Sequence, residues 1–236
     1  WHDAAFFNMC RPLELVFSNG MDKGELVGIQ TGDVTKMTTF EEFFDAYKKQ
    51  MEYCISLMVN ADNAIDVAHS ERVPLPYESC MVDDCLSRGL SVQEGGAVYN
   101  FTGPQGFGVA NMADSLYSVK TLVYDEKKIT MGELKEALAT NYGKGLGAED
   151  VAAMTAKIAN ELKEAGKTIG EKEVAAILNT VVAASEAPEV KANGERILKL
   201  IEEVPKFGND IPEVDAFARD VAYTYTEPLQ NYKNPR

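Results

Sequence analysis

Positive charge is scarce in this chain: 23 Lys and Arg stand against 37 Asp and Glu, a formal charge of −14. A field of that sign repels phosphate backbones and anionic lipid, and no basic stripe offsets it locally. Nucleic acid and membrane surface are therefore excluded as expected partners. Long apolar runs are also missing, since none approaches the roughly 20 residues that span a bilayer. The opening Trp1-His2-Asp3 carries no basic stretch of a secretory signal. These absences describe a soluble cytoplasmic protein. Histidine is nearly absent as well, with only His2 and His69. Cys80 and Cys85 have a C-x4-C spacing but no nearby residues to complete a tetrahedral set, so no structural metal is expected. The four cysteines, Cys10, Cys54, Cys80 and Cys85, are scattered rather than spaced as a framework, and read as reduced.

What is present is enough for a real core: 236 residues, 45% hydrophobic and 25% charged, fit one large domain or two small ones. The chain is organised around the stretch 95–108, which opens on Gly95-Gly96, runs through a short segment at 97–102 that fits a strand, and breaks at Gly103, Pro104, Gly106 and Gly108. Such glycines let a backbone approach a ligand or another loop closely, although most Gly-rich turns are only turns.

In chain order, residues 4–19 place Phe6, Phe7, Cys10, Leu13, Val16 and Phe17 at helical spacing, with Pro12 implying a kink or two pieces. The opening, an aromatic before an acid, reads as a chain cut inside a domain. Residues 21–38 are loop or a short hairpin. Thr39-x-x-Glu42 has the form of a capping box, and a long helix runs to about residue 68 with Phe40, Phe43, Phe44, Tyr47, Met51, Cys54, Ile55, Met58, Ala61, Ile65 and Ala68 inward. His69 suits the carbonyl end of that helix. The adjacent acids Asp83 and Asp84 point in different directions on a short helix, one solvated and one capping. Residues 109–125 are helical with Met112, Leu116, Val119 and Val123 inward, and Asp114 near the start suits either the helix dipole or a substrate loop. Thr130-x-x-Glu133 caps another helix, to about residue 141. Residues 148–204 turn rich in Ala, Glu and Lys, with stripes at Val151, Met154, Ile158 and Leu162, at Val174, Ile177, Leu178 and Val181, and at Ile197, Leu200 and Ile201. They read as a helical hairpin or small bundle. Pro205 to Asp210 forms a compact turn, and a short helix over 214–223 precedes a polar tail.

Three separated motifs then carry a resemblance: Gly95-Gly96-Ala97-x-Tyr99-Asn100-Phe101-Thr102-Gly103-Pro104-Gln105-Gly106, Ala113-Asp114-Ser115-Leu116, and Pro205-Lys206-Phe207-Gly208-Asn209-Asp210. In this order they resemble the pyruvate formate-lyase-like glycyl radical enzymes. The opening Trp1-His2-Asp3-Ala4-Ala5-Phe6-Phe7-Asn8 is similar to the segment after that family's Gly-Cys-Val-Glu motif in the B12-independent glycerol and propane-1,2-diol dehydratase branch.

The resemblance implies an α/β fold, the central portion of a ten-stranded α/β barrel, with residues 1–147 as partial barrel, 148–204 as a helical insertion and 205–236 as barrel again. It implies radical loss of water from a small diol to an aldehyde. The radical is installed by an S-adenosylmethionine-dependent activating enzyme, no cofactor is bound by this chain, and a homodimer is the usual assembly. Whether such a protein sits in a bacterial microcompartment is left open. Asp3 matches the family's carboxylate that hydrogen-bonds substrate hydroxyls; His2, Phe6 and Asn8 lie beside it, and Tyr99, Asn100 and Gln105 belong to the inner wall. Neither the Gly-Cys-Val-Glu motif nor the C-terminal glycyl radical motif occurs here, so the chain alone is expected to be inactive. Two other readings stand: a related enzyme acting on choline, a sulfonate, hydroxyproline or an arylacetate, and a non-catalytic helical module. Asp3 favours hydroxyl recognition.

Overall fold

The computed structural model describes residues 4–145 and 187–235, with isolated positions 178, 180, 182 and 183 between them. The expected helix over 4–19 is instead a strand, β1 (Ala5–Asn8), followed by a short helix, α1 (Arg11–Phe17). Two local devices separate them. The Asn8 side-chain oxygen accepts the Cys10 N–H at 3.0 Å, and Pro12 occupies the first helical turn, where its missing N–H costs nothing. The strand itself is dictated from far away: β1 pairs in parallel with β4 (Pro104–Phe107), Ala5 opposite Pro104 and Asn8 opposite Phe107. Backbone bonds from Ala4 N to Gly103 O and from Met9 N to Phe107 O extend the ladder at both ends. The strand therefore lies at 104–107, not at 97–102, where Val98 and Tyr99 are exposed.

Of the two readings of residues 21–38, loop or short hairpin, the structure has a short hairpin at the start, β2 (Met21–Asp22) with β3 (Glu25–Leu26). α2 (Phe40–Arg72) starts on the predicted reciprocal cap, with the Glu42 N–H donating to Thr39 Oγ1 at 3.2 Å and the Thr39 N–H donating to Glu42 Oε2. Its first half buries Phe40, Phe43, Tyr47, Met51 and Ile55. Its second half departs from the expectation: Ala61, Ile65 and Ala68 are exposed, while beyond Val59 the buried residues are Asp62 and Asp66.

Two short helices follow, α3 (Pro76–Ser79) and α4 (Cys85–Arg88). Asp84 stands at the N-cap of α4 with φ of 75° and makes no side-chain cap bond, and Asp83 and Asp84 are both exposed. The expected solvated-and-capping pair is therefore two solvated acids. Gly96 is demanded by packing, since a Cβ there would lie 2.2 Å from the Leu90 carbonyl. Arg88 fixes the same turn by donating to the carbonyls of Gly96 and Ala97.

α5 (Val109–Val119) continues into a π-helical turn over Lys120–Asp125, so the helical span expected at 109–125 is filled. α6 (Met131–Ala139) carries the second reciprocal cap, Thr130 with Glu133. Of the three stripes at 148–204, most of the first two lies outside the described residues; the third belongs to α7 (Pro188–Glu203), where Ile197 is fully buried. The last helix, α8, is longer than expected, Pro212–Leu229 rather than 214–223.

The core forms where α2, α5 and α8 meet under the β1–β4 pair, through Tyr47, Met51, Met112, Leu116, Val214, Val221 and Tyr225. Each large apolar side chain so buried contributes about 1.5–3 kcal/mol. The compact turn 205–210 joins these helices: Lys206 Nζ donates to the carbonyls of Ile201 and Val204 at the end of α7, and the Phe207 N–H donates to Asp114 Oδ1 at 2.8 Å. Two of the resemblance motifs therefore touch directly.

Gly106 sets the distance between sheet and helices, because a Cβ there would sit 2.8 Å from the Tyr225 ring. Gly106→Ala is expected to destabilise the fold by about 1–3 kcal/mol in urea unfolding, with Gly132→Ala, whose Cβ meets only Thr130 Oγ1 at 3.9 Å, as the tolerated control.

Candidate functional site

Side chains alternate across a strand, and the β1–β4 pair has two very different faces. Phe7 and Gly106 point to the helices, with the Phe7 ring 5.1 Å from that of Tyr225. Phe6, Asn8, Gln105 and Phe107 point the other way and are all exposed. Phe6 stands opposite Gln105 and Asn8 opposite Phe107, so each pairing sets an amide beside a phenyl ring. The two rings meet on the diagonal, centroids 5.1 Å apart and planes tilted by 56°, as neighbouring strands permit. No Lys, Arg, Asp or Glu occurs in either strand.

Three of the sequence-predicted wall residues, Phe6, Asn8 and Gln105, are thus brought onto one surface. Tyr99 and Asn100 are not. Tyr99 projects into solvent with 90% of its surface exposed. Asn100 lines a separate cavity of about 440 Å³ with Asp62, Thr102, Pro104, Tyr232 and Asn234, and its carbonyl accepts from the Asn234 side chain at 3.4 Å. Asp3 and His2 lie outside the described residues. Phe107 was missed in sequence, although it follows Gln105 by two, the spacing that puts both on one strand face.

The second group that sequence reasoning missed is the acid pair of α2. Asp62 and Asp66 stand one turn apart, 8% and 2% exposed. Thr102 donates its hydroxyl to Asp66 Oδ2 at 2.9 Å, tying α2 to the segment that leads into β4. Asp62 Oδ2 is buried without a hydrogen-bond partner. Burial, and then the neighbouring Asp66, raise the Asp62 carboxyl above the ordinary carboxylate range. Burial, with a smaller contribution from Asp62, pushes the Tyr225 hydroxyl up to about 12. The pattern conceals these acids because the apolar spacing continues through Ala61, Ile65 and Ala68 and assigns those residues inward.

Among the described residues no group of three or more His, Cys, Asp or Glu is placed to hold a metal. The cysteines are free, and only Cys85 is buried. No described helix is long and apolar enough to cross a membrane. A smaller apolar cavity of about 170 Å³ lies against Phe17, Leu122, Leu134 and Ile201. Its charged neighbours Asp114 and Lys206 are committed to the backbone bonds described above, so it offers packing space rather than chemistry.

A carboxyl whose folded pKa is raised favours the fold while protonated. That advantage is complete below the ordinary carboxylate range and is lost as pH climbs through the raised value. Asp62→Asn removes the titration, so between about pH 4 and about pH 8 the melting temperature of the variant is expected to fall less than that of the parent. Parallel curves would assign the titration elsewhere. Thr102→Val, which strips a hydroxyl from a buried carboxylate, is expected to cost about 1–3 kcal/mol, measured by urea unfolding.

With this geometry in place, the likeness to known proteins is informative over the whole chain. The pyruvate formate lyase-like family model matches residues 1–236. The solved enzyme of 1,2-propanediol dehydration in Roseburia inulinivorans is 59% identical, with a TM-score of 0.92 over 100% of this chain and 28% of that one. The glycerol-bound B12-independent glycerol dehydratase of Clostridium butyricum is 41% identical, with a TM-score of 0.76 over 100% of this chain and 24% of that one. The (2S)-3-sulfopropanediol dehydratase of Klebsiella oxytoca is 39% identical over 144 residues, 60% of this chain and 17% of that protein. The chain therefore spans less than a third of the length of each relative, and its α/β fold is that of the corresponding part of these enzymes. It belongs to the pyruvate formate lyase-like family of glycyl radical enzymes, and within it resembles the propanediol and glycerol dehydratases.

Proposed function

We propose that this chain is the central segment of a glycyl radical diol dehydratase, which eliminates water from propane-1,2-diol or glycerol to give an aldehyde. The observation that carries the reading is the two-faced β1–β4 pair. Helices close one side, as they do outside an α/β barrel, and the other side presents Phe6, Asn8, Gln105 and Phe107. That open side is the part of the barrel wall that faces the substrate. Residues 148–204 are an insertion between the two barrel portions, 1–147 and 205–236.

In the reaction, the radical supplied by the rest of the enzyme removes a hydrogen atom from C1. The C1 hydroxyl gives up its proton while the C2 hydroxyl is protonated and leaves as water. Return of the hydrogen atom to the product radical yields the aldehyde. A hydroxyl leaves readily only when it is hydrogen-bonded or protonated and bulk water is excluded. Asp3, the residue before Ala4 where the ladder begins, holds a substrate hydroxyl as hydrogen-bond acceptor. Phe6 and Phe107 exclude water from the carbon skeleton. The working protein is a homodimer activated by a radical-installing partner enzyme.

With S-adenosylmethionine and the activating enzyme, in the absence of oxygen, the full-length protein is expected to convert propane-1,2-diol or glycerol to the aldehyde, and the isolated 236-residue chain to form none. Turnover by the isolated chain, or a preference of the full-length protein for choline, isethionate, hydroxyproline or an arylacetate, would overturn the reading. Asp3→Asn is expected to lower kcat/KM for the diol by about 10- to 100-fold, the loss of a charge-assisted hydrogen bond.

A further inference from the structure

We infer that the cavity walled by Asp62 and Asn100 receives a lysine or arginine side chain from the part of the enzyme outside residues 1–236, with Asp62 as the acceptor of its charge. This rests on the chain being one segment of a longer protein, not on which diol that protein takes. Asp62 is 8% exposed, lines the cavity, and has its Oδ2 buried with no hydrogen-bond partner. A carboxyl so placed destabilises the fold until a cation or a set of donors meets it. Among the described residues neither is supplied. The Thr102 hydroxyl on the same wall is committed to Asp66 at 2.9 Å, and the Tyr225 hydroxyl is directed at the Met58 sulfur. The Asn234 and Asn63 amides donate to the carbonyls of Asn100 and Lys233, and Lys233 itself is exposed. What acts on the Asp62 carboxyl is burial and then Asp66, both opposing its ionised form.

The cavity suits a long cationic side chain better than a water or a bare metal. Its volume of about 440 Å³ exceeds the roughly 30 Å³ of one water many times over. Val59, Phe101, Pro104 and Leu229 give it apolar walls, against which an aliphatic stem packs while its charged tip reaches the acid. Rotation about the last torsion of an aspartate is soft, so either carboxyl oxygen can turn to that tip. No group of three acids, histidines or cysteines among the described residues stands ready for a metal. The source of the cation follows from how little of the enzyme is here. The chain makes up 28% of the length of its 59% identical relative, and its own 23 Lys and Arg are outnumbered by 37 Asp and Glu. A side chain tethered to the same polypeptide reaches Asp62 at an effective concentration that no free cation matches.

The test is made on the full-length protein. Its structure is expected to place a lysine or arginine nitrogen from outside the present residues within about 3.2 Å of an Asp62 carboxyl oxygen. Ordered water, an apolar side chain or a free small cation in that position would overturn the inference. In solution, full-length Asp62→Asn is expected to unfold at least about tenfold faster in urea than the parent. A paired carboxyl has its pKa lowered, so its stabilisation is complete above the ordinary carboxylate range, and the gap between parent and variant holds steady from about pH 5 to about pH 8. A gap that shrinks as pH rises, the behaviour expected above of the uncovered carboxyl, would mean that no cation reaches Asp62 in the complete enzyme and would equally overturn the pairing. Diol turnover by the parent is measured alongside. An active enzyme with Asp62 unpaired overturns this inference alone, and an inactive one with the pair in place overturns the dehydratase reading alone.

Discussion

The structure depends on the contact between Gly106 and the ring of Tyr225. It is the point where the β1–β4 pair lies down on α8, and the absence of a side chain lets the strand approach closely enough for the tilted rings of Phe7 and Tyr225 to come into contact. A two-stranded sheet is marginal by itself. Here it is stable because one face is sealed against the α2, α5 and α8 core. That sealing commits the alternate residues to the opposite surface, so the position of the candidate site is a by-product of how the helices pack.

Those features that are written locally were legible. The reciprocal caps Thr39 with Glu42 and Thr130 with Glu133 are each contained in four residues, and both gave the correct helix starts. β1 was not legible, because Phe6, Phe7, Cys10 and Leu13 satisfy a helical period and only a partner strand from beyond α2 makes the segment extended. The same nonlocal pairing moved the second strand past Gly103. Asp62 and Asp66 were hidden for a different reason: hydrophobic periodicity assigns apolar residues inward, and the end of α2 buries acids instead, where Thr102 meets one of them.

The candidate site was legible through resemblance rather than through pattern. Phe6, Asn8 and Gln105 were picked out by the motifs around them, and the ladder explains why those three share a surface while Tyr99 and Asn100, on the irregular lead-in, do not. The turn from Pro205 to Asp210 shows the opposite outcome. It belongs to the resemblance, yet its Lys206 and Phe207 bonds serve the helices, so a family motif here marks architecture rather than chemistry.

The separation of β1 from β4 has a consequence for biosynthesis. During translation at roughly 5–20 residues per second, the first strand emerges and waits on the order of 5 to 20 seconds before the ribosome delivers its mate. In that interval Phe6 waits for the ring of Phe107, and Phe7 waits longer still, for Tyr225 on α8.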